Sequence, residues 1–164
     1  YTAGAGQRSA AAETPHELHA RLMATNFEGA VALTRAVLPG MLARGHGSIA
    51  VVSSVQGFFG QPYRSSYSAS KAALVGLTFS LARQFASSGV TVNAVAPCYV
   101  FSPMIMEQLT AQKREELLET IPVRRFCKPE EVAHAVLFLA SPLSGFITGE
   151  VICVDGGRQC LGAR

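Results

Sequence analysis

Three residues have side chains and spacings suited to chemistry: Ser54, Tyr67 and Lys71. Tyr67 and Lys71 stand four positions apart in a stretch that reads as helical, so their side chains share one face. A phenol with an ordinary pKa near ~10 exchanges protons poorly at neutral pH unless a nearby positive charge favours the phenolate. The Lys71 ammonium supplies such a charge. Ser54, thirteen positions earlier, offers a hydroxyl that can hydrogen-bond a carbonyl oxygen as it gains alkoxide character. The combined roles suit carbonyl–alcohol interconversion. A Tyr-x-x-x-Lys pair alone is common on solvated helix faces, so its weight depends on the elements that carry it.

Those elements are marked by the punctuation of the chain. Thr14-Pro15-His16-Glu17 predicts a capping box with proline at the first helical position. The apolar series Leu18, Leu22, Val31, Val37, Leu38, Met41 and Leu42 then predicts one long, bent helix ending at Gly45 and Gly47. Ser48 to Val52 predicts a strand buried on both faces, which places Ser54 just beyond its C-terminal end, where open α/β sheets bind ligands. A loop with Gly57, Gly60 and Pro62 leads into a helix from Ser65 to Ser88, stopped by Gly89. A second strand is predicted at Val90 to Ala96 and a third at Glu150 to Val154. Between them lie a loop with a charged amphipathic helix, Tyr99 to Pro122, and a further helix from Pro129 to about Ala140. Strands separated by helices need crossover connections, so the class is α/β with a doubly wound parallel sheet of Rossmann type. Such folds carry about six strands, and three are found here, so the chain reads as the C-terminal part of a single domain.

Composition narrows the function. Of 164 residues, 49% are hydrophobic and 15% charged, which excludes a disordered chain. The 14 Lys and Arg against 11 Asp and Glu form no basic run, giving no support to nucleic-acid or membrane-surface binding. Neither a spanning segment nor a secretion signal is visible. Cys98, Cys127, Cys153 and Cys160 contain no Cys-x-x-Cys pair and no histidine at ligand spacing, which argues against zinc and for reduced thiols in a cytoplasmic protein. His16, His19, His46 and His134 read as solvated. Gly45-His46-Gly47-Ser48-Ile49-Ala50 matches a dinucleotide fingerprint in form but precedes a strand, so it is a turn. Ser68-Ala69-Ser70-Lys71 lacks the partner motifs of acyl enzymes.

In this context the chain resembles the short-chain dehydrogenase/reductase family over its whole length. The matching stretches, in order, are Ala3-Gly4, Asn26, Ser54, Tyr67-Ser-Ala-Ser-Lys71, Val92-Asn-Ala-Val-Ala-Pro97 and the run from Ile147 to Gly157. The resemblance implies that Tyr67 is the general acid, that Lys71 lowers its pKa and binds the nicotinamide ribose, and that Ser54 polarises the carbonyl. Asn26 would hold a water in a proton relay, act as a satisfied kink residue, or both. Ala3, Gly4, Tyr67, Lys71, Pro97, Cys98, Val100 and Ser102 would hold the cofactor, NADP or NAD with NADP favoured. The Gly-rich phosphate cradle would precede residue 1. The family's 3-oxoacyl-thioester reductases are the nearest in motif, which implies an acyl-thioester or small carbonyl substrate.

Three positions depart from the pattern: Thr2 for an asparagine, Cys98 for a glycine, and Pro103 after Ser102. Cys98 reads as a small tolerated residue, with a redox-sensitive thiol as the competing reading. These departures motivate an alternative, a catalytically silent binding or scaffold protein, against which the intact Ser54, Tyr67 and Lys71 stand. Residues 99 to 122 are expected to form a mobile lid over the substrate. Apolar residues on more than one face of the helix from Ser65, among them Ala69, Ala73 and Val75, predict a homo-oligomer, a dimer or with two interfaces a tetramer.

Overall fold

A computed structural model describes residues 4–101 and 109–161. The element order is α1 (His16–Met23), a π-helical turn (Ala24–Glu28), α2 (Gly29–Arg44), β1 (Gly47–Val52), α3 (Gln56–Phe59), α4 (Ser65–Phe85), β2 (Val90–Pro97), α5 (Ala111–Glu119), α6 (Pro129–Ala140) and β3 (Val151–Val154). The three strands form one parallel sheet in the order β1-β2-β3. Register runs from Gly47 opposite Val90 to Val52 opposite Val95, and from Ala94 opposite Val151 to Pro97 opposite Val154.

The core follows from the unbroken apolar strands, which bury side chains on both faces. Ile49, Val51, Val90, Val92 and Ala94 pack with Ala30 of α2 and with Leu74 and Ala82 of α4. Leu139 of α6 is fully buried, and the Ser48 hydroxyl donates to its carbonyl at 2.7 Å, tying α6 to β1. Gly89 joins α4 to β2 at φ +73°, and a Cβ there would stand 2.1 Å from the Gly45 carbonyl oxygen. No residue but glycine fits that crossing.

Two expectations are corrected. Thr14 does not cap α1; its hydroxyl donates to the Ala10 carbonyl and accepts from the Gln7 side chain, so Pro15 takes the cap position without a side-chain cap. The apolar series of the long helix also does not all point inward: Leu22 is buried, Leu38 and Met41 pack on the core, while Val37 and Leu42 are exposed. The π-helical turn adds a residue to the helical repeat and rotates α2 relative to α1, which separates the two faces.

The stretch Val92 to Pro97 has a mechanical role. Asn93 is fully buried; its Nδ2 donates to the Ile147 carbonyl and its Oδ1 accepts from the Glu150 N–H. The Val92 N–H donates to Thr148 Oγ1, and the Gly149 N–H donates to the Val92 carbonyl. One asparagine thus fixes the approach of β3 to β2.

Candidate active site

Ser54, Tyr67 and Lys71 converge at the C-terminal ends of β1 and β2. The ladder continues past β1 through the Ser53 N–H to the Val95 carbonyl and the Val55 N–H to the Pro97 carbonyl, which fixes the backbone on either side of Ser54. The Ser54 hydroxyl accepts from the Gln56 N–H at 3.2 Å and donates to the Pro97 carbonyl at 3.5 Å, near enough to the Tyr67 phenol to pull its pKa down. Gly57 brings this segment onto α4: a Cβ there would lie 3.0 Å from the Lys71 carbonyl carbon.

Helix α4 is held against the sheet by polar contacts around the same residues. The Ser53 hydroxyl donates to the Lys71 carbonyl at 2.8 Å, and Lys71 Nζ donates to the Val52 carbonyl at 2.9 Å. The Nζ sits 5.8 Å from the centre of the Tyr67 ring. Burial lowers the Lys71 pKa from 10.5 to about 8. Burial likewise pushes the Tyr67 phenol above its ordinary value, while the Ser54 hydrogen bond and then the charge of Arg64 pull it back. Arg64 therefore joins Lys71 as a cation beside the phenol, its Cζ 5.9 Å from the ring centre.

Asn26 lies in the π-helical turn and is fully buried. The Ala5 N–H donates to its Oδ1 at 2.7 Å, and its Nδ2 donates to the Ala5 carbonyl at 3.0 Å and to Ser70 Oγ at 2.9 Å. The Ser70 hydroxyl in turn donates to the Tyr67 carbonyl. Asn26 is thus a satisfied residue of the helix kink. It clamps the Gly4–Ala5 backbone to the helix that carries Tyr67. Gly4 lies beside both Asn26 and Lys71: a Cβ on Gly4 would stand 3.6 Å from Asn26 Oδ1 and 3.7 Å from Lys71 Nζ.

Of the other expected cofactor residues, Pro97 ends β2 with its carbonyl accepting from Val55. The Cys98 N–H donates to the Val154 carbonyl, and its Sγ accepts from Arg158 Nη1 at 3.4 Å. Val100 pairs in parallel with Cys127. Ala3 and Ser102 lie outside the described residues, as do Thr2 and Pro103. No disulfide joins Cys98, Cys127 and Cys153. His19 is exposed as expected, and its Nδ1 lies 3.1 Å from Ser66 Oγ, linking α1 to α4.

Several positioning residues escape a reading by spacing. Gln7 is buried, its Oε1 accepting from the Tyr67 N–H and its Nε2 donating to Ser9 and Thr14. Ser53, Ser70 and Arg64 are the others. Arg64 alone had a visible signal, a charge immediately before a predicted helix start.

The constellation can donate a proton from Tyr67 and a hydrogen bond from Ser54 to one oxygen, above a buried ammonium. A family model described as enoyl-(acyl carrier protein) reductase matches residues 2–159. The chain belongs to the short-chain dehydrogenase/reductase family. Among curated members of the short-chain dehydrogenases, it is 46% identical over 132 residues to the 3-oxoacyl-[acyl-carrier-protein] reductase FabG of Thermotoga maritima, covering 80% of this chain and 53% of that protein. It is 42% identical over 137 residues to an acetoacetyl-CoA reductase of Rhizobium meliloti, covering 84% of this chain and 57% of that protein. Among solved structures, a gluconate 5-dehydrogenase from Burkholderia cenocepacia in complex with NADP and tartrate superposes with a TM-score of 0.91 at 30% identity, covering 96% of this chain and 62% of that one. The chain spans little more than half the length of the curated short-chain dehydrogenases it matches.

Proposed function

We propose that the protein, as residues 1–164 within a full-length Rossmann domain, is an NADP(H)-dependent oxidoreductase that reduces the carbonyl of a 3-oxoacyl thioester to a secondary alcohol. The observation that carries this reading is the convergence of the buried Ser54 hydroxyl, the Tyr67 phenol and the buried Lys71 ammonium, whose Nζ lies 5.8 Å from the phenol ring centre. The sequence match to thioester reductases supports the substrate class, and an NADP-bound structural neighbour supports the cofactor over NAD.

The residues present fit a nicotinamide nucleotide. Gly4 borders Lys71 Nζ without a side chain, leaving room that a Cβ would fill, and Tyr67, Pro97, Cys98 and Val100 line the same ends of the strands. The cofactor, when bound, supplies the hydride. In the proposed mechanism Tyr67 donates its phenolic proton to the carbonyl oxygen, and Ser54 donates a hydrogen bond to the same oxygen as negative charge develops. Lys71 favours the resulting phenolate by its charge and, through Nζ, reaches the ribose. In the same reading Asn26, which lies with Lys71 beside Gly4, holds a water through which the phenol is reprotonated.

Residues 99 to 122 close over the substrate in this reading. The base of that segment is fixed, because the Cys127 N–H donates to the Tyr99 carbonyl and the Phe101 N–H to the Cys127 carbonyl. Its distal part, α5, is a separate helix capped by Thr110. Two exposed apolar surfaces support a homo-oligomer, a tetramer where both are used: Leu33, Val37 and Phe79 on α2 and α4, and Leu137, Leu143 and Phe146 around the end of α6. Among the described residues, no helix is long and apolar enough to cross a membrane. The test is turnover of acetoacetyl-coenzyme A by the full-length protein with NADPH and then NADH. Turnover with NADPH is expected; none with either cofactor overturns the thioester reading.

A further inference from the structure

We propose that the site also accepts short oxo acids bearing a free carboxylate within a few bonds of the reacting carbonyl, held by Arg64 with Arg158 behind it. The inference rests on the oxidoreductase reading and adds a substrate class to it.

Arg64 sits where the chain enters α4. Tyr63, just before it, adopts a left-handed φ of +66°, an uncommon conformation for a non-glycine residue and one that gathers at functional turns. The turn aims Arg64 at Tyr67, 5.9 Å from the ring centre, and its Nε is buried without a hydrogen-bond partner. Gln56 Oε1, Gln61 Oε1 and Ser68 Oγ are also buried and unpartnered. Buried polar atoms are ordinarily satisfied, so the unpartnered Arg64 Nε beside the phenol marks a group whose bonding a polar ligand completes.

Arg158 approaches the same segment from the other side. Its guanidinium lies 4.6 Å from the Tyr99 ring centre and 5.7 Å from that of Phe59. The Gln61 side chain donates to the Tyr99 hydroxyl, and the Arg64 N–H donates to the Gln61 carbonyl. Arg158, Tyr99, Gln61, Arg64 and Tyr67 are therefore one continuous set of contacts. The ion pairs among the described residues join Lys113 to Glu116 and Arg125 to Glu131, and neither Arg64 nor Arg158 is paired with a carboxylate. The carboxylate nearest in sequence, Asp155, accepts instead from the Gly157 and Gln159 N–H groups.

A half-buried guanidinium with no counter-ion is an unfavourable arrangement that an incoming anion relieves. Its planar fork matches a carboxylate in two parallel hydrogen bonds. Distance selects the kind of anion. In a thioester on a phosphopantetheine carrier, the phosphate is separated from the carbonyl by the whole arm, whereas Arg64 stands beside the group that protonates that carbonyl. A carboxylate on the substrate's own short chain meets this geometry.

The experiment compares acetoacetate with its neutral analogues ethyl acetoacetate and the N-acetylcysteamine thioester of acetoacetate, using the full-length protein and NADPH. Wild-type kcat/KM for acetoacetate is expected to exceed that for ethyl acetoacetate by at least about tenfold, the scale of a charge-assisted hydrogen bond. Arg64→Gln is expected to lower that ratio by about tenfold, and Arg64→Lys to restore part of it; Arg158→Gln is expected to lower it less. The ratio is the readout because loss of Arg64 also alters Tyr67. Equal use of acid and ester by the wild type, or equal loss of both in a folded Arg64→Gln, overturns the inference. Turnover of the thioester without any of acetoacetate overturns it while leaving the reductase reading intact. If none is turned over, the reductase reading fails, and calorimetric titration of the wild type with acetoacetate and ethyl acetoacetate decides the anion site: binding of the acid alone supports it, and absence of binding overturns it.

Discussion

Lys71 and Tyr67 share one face of α4, yet the ammonium donates to the Val52 carbonyl of the neighbouring strand, with Nζ 5.8 Å from the ring centre. The cation is thereby fixed by the sheet and acts on the phenol through space. Burial depresses the Lys71 pKa from 10.5 to about 8, so the folded protein disfavours its charged form. The unfolded chain then binds more protons than the native state between those values, and stability rises with pH across that window. The penalty is fully present below about 8 and is relieved toward 10.5. Relative to Lys71→Met, the wild type should gain ~2 kcal/mol in unfolding free energy between about pH 7 and about pH 9.5, the subtraction removing the other titrating groups. Urea unfolding at the two pH values checks this; parallel behaviour of the two proteins would contradict it.

Replacing Tyr67 with Phe removes the proton donor and keeps the ring. Turnover should fall by at least roughly 10²-fold, the contribution of a positioned general acid. Stability should change little, because the lost hydrogen bond to Ser54 is worth about 1 kcal/mol. Steady-state rates and denaturant midpoints on the full-length protein separate the two effects. Near-normal turnover would exclude Tyr67 as the acid.

The chemistry was legible where it depends on spacing within one element, and hidden where it depends on partners far along the chain. Tyr67 and Lys71 are four apart on a helix, and Ser54 follows a strand that its apolar run makes evident, so their meeting is predictable from local periodicity. Arg64 is different: its charge is visible, but its inward aim depends on the left-handed turn at Tyr63, which no residue type there announces. The capping box at Thr14 fails for the same reason. A local pattern competes with Gln7, whose amide takes the Thr14 hydroxyl into a network reaching Tyr67, and the tertiary partner wins. The long helix from residue 14 shows an apolar series, while its division by a π-helical turn at Asn26 follows from hydrogen bonds to Ala5 and Ser70 that lie well apart in sequence.

Asn26 is accordingly expected to be structural before it is anything else. Asn26→Ala strips the partners from the Ala5 N–H and carbonyl and from Ser70, and a buried polar group left without a partner costs about 1–3 kcal/mol. Stability should fall by about that amount, and amide exchange should accelerate in the loop from Gly4 to Ser9. An unchanged exchange pattern would show that the clamp does not hold the loop.

The last expectation concerns assembly. Phe79 and Leu33 are 47% and 46% exposed on α4 and α2, and Val37 of α2 is exposed as well, while Ala69, Ala72 and Gly76 continue the exposed stripe of α4 without large polar groups. Leu137, Leu143 and Phe146 form a second apolar surface at the other end of the chain, around α6. Each surface is predominantly apolar, Arg83 standing one turn beyond Phe79 at the edge of the first, so each suits a two-fold contact. Two such contacts close a tetramer; one leaves a dimer. A carboxylate at the centre of one contact would be buried opposite its own copy, which is strongly unfavourable. Phe79→Glu should therefore convert a tetramer to a dimer held by the second surface, without loss of the fold, since Phe79 lies outside the core. Light scattering on the full-length wild type and variant measures this directly. An unchanged mass in the variant, or a wild-type monomer, would mean that the α2 and α4 faces are not joined to a second copy.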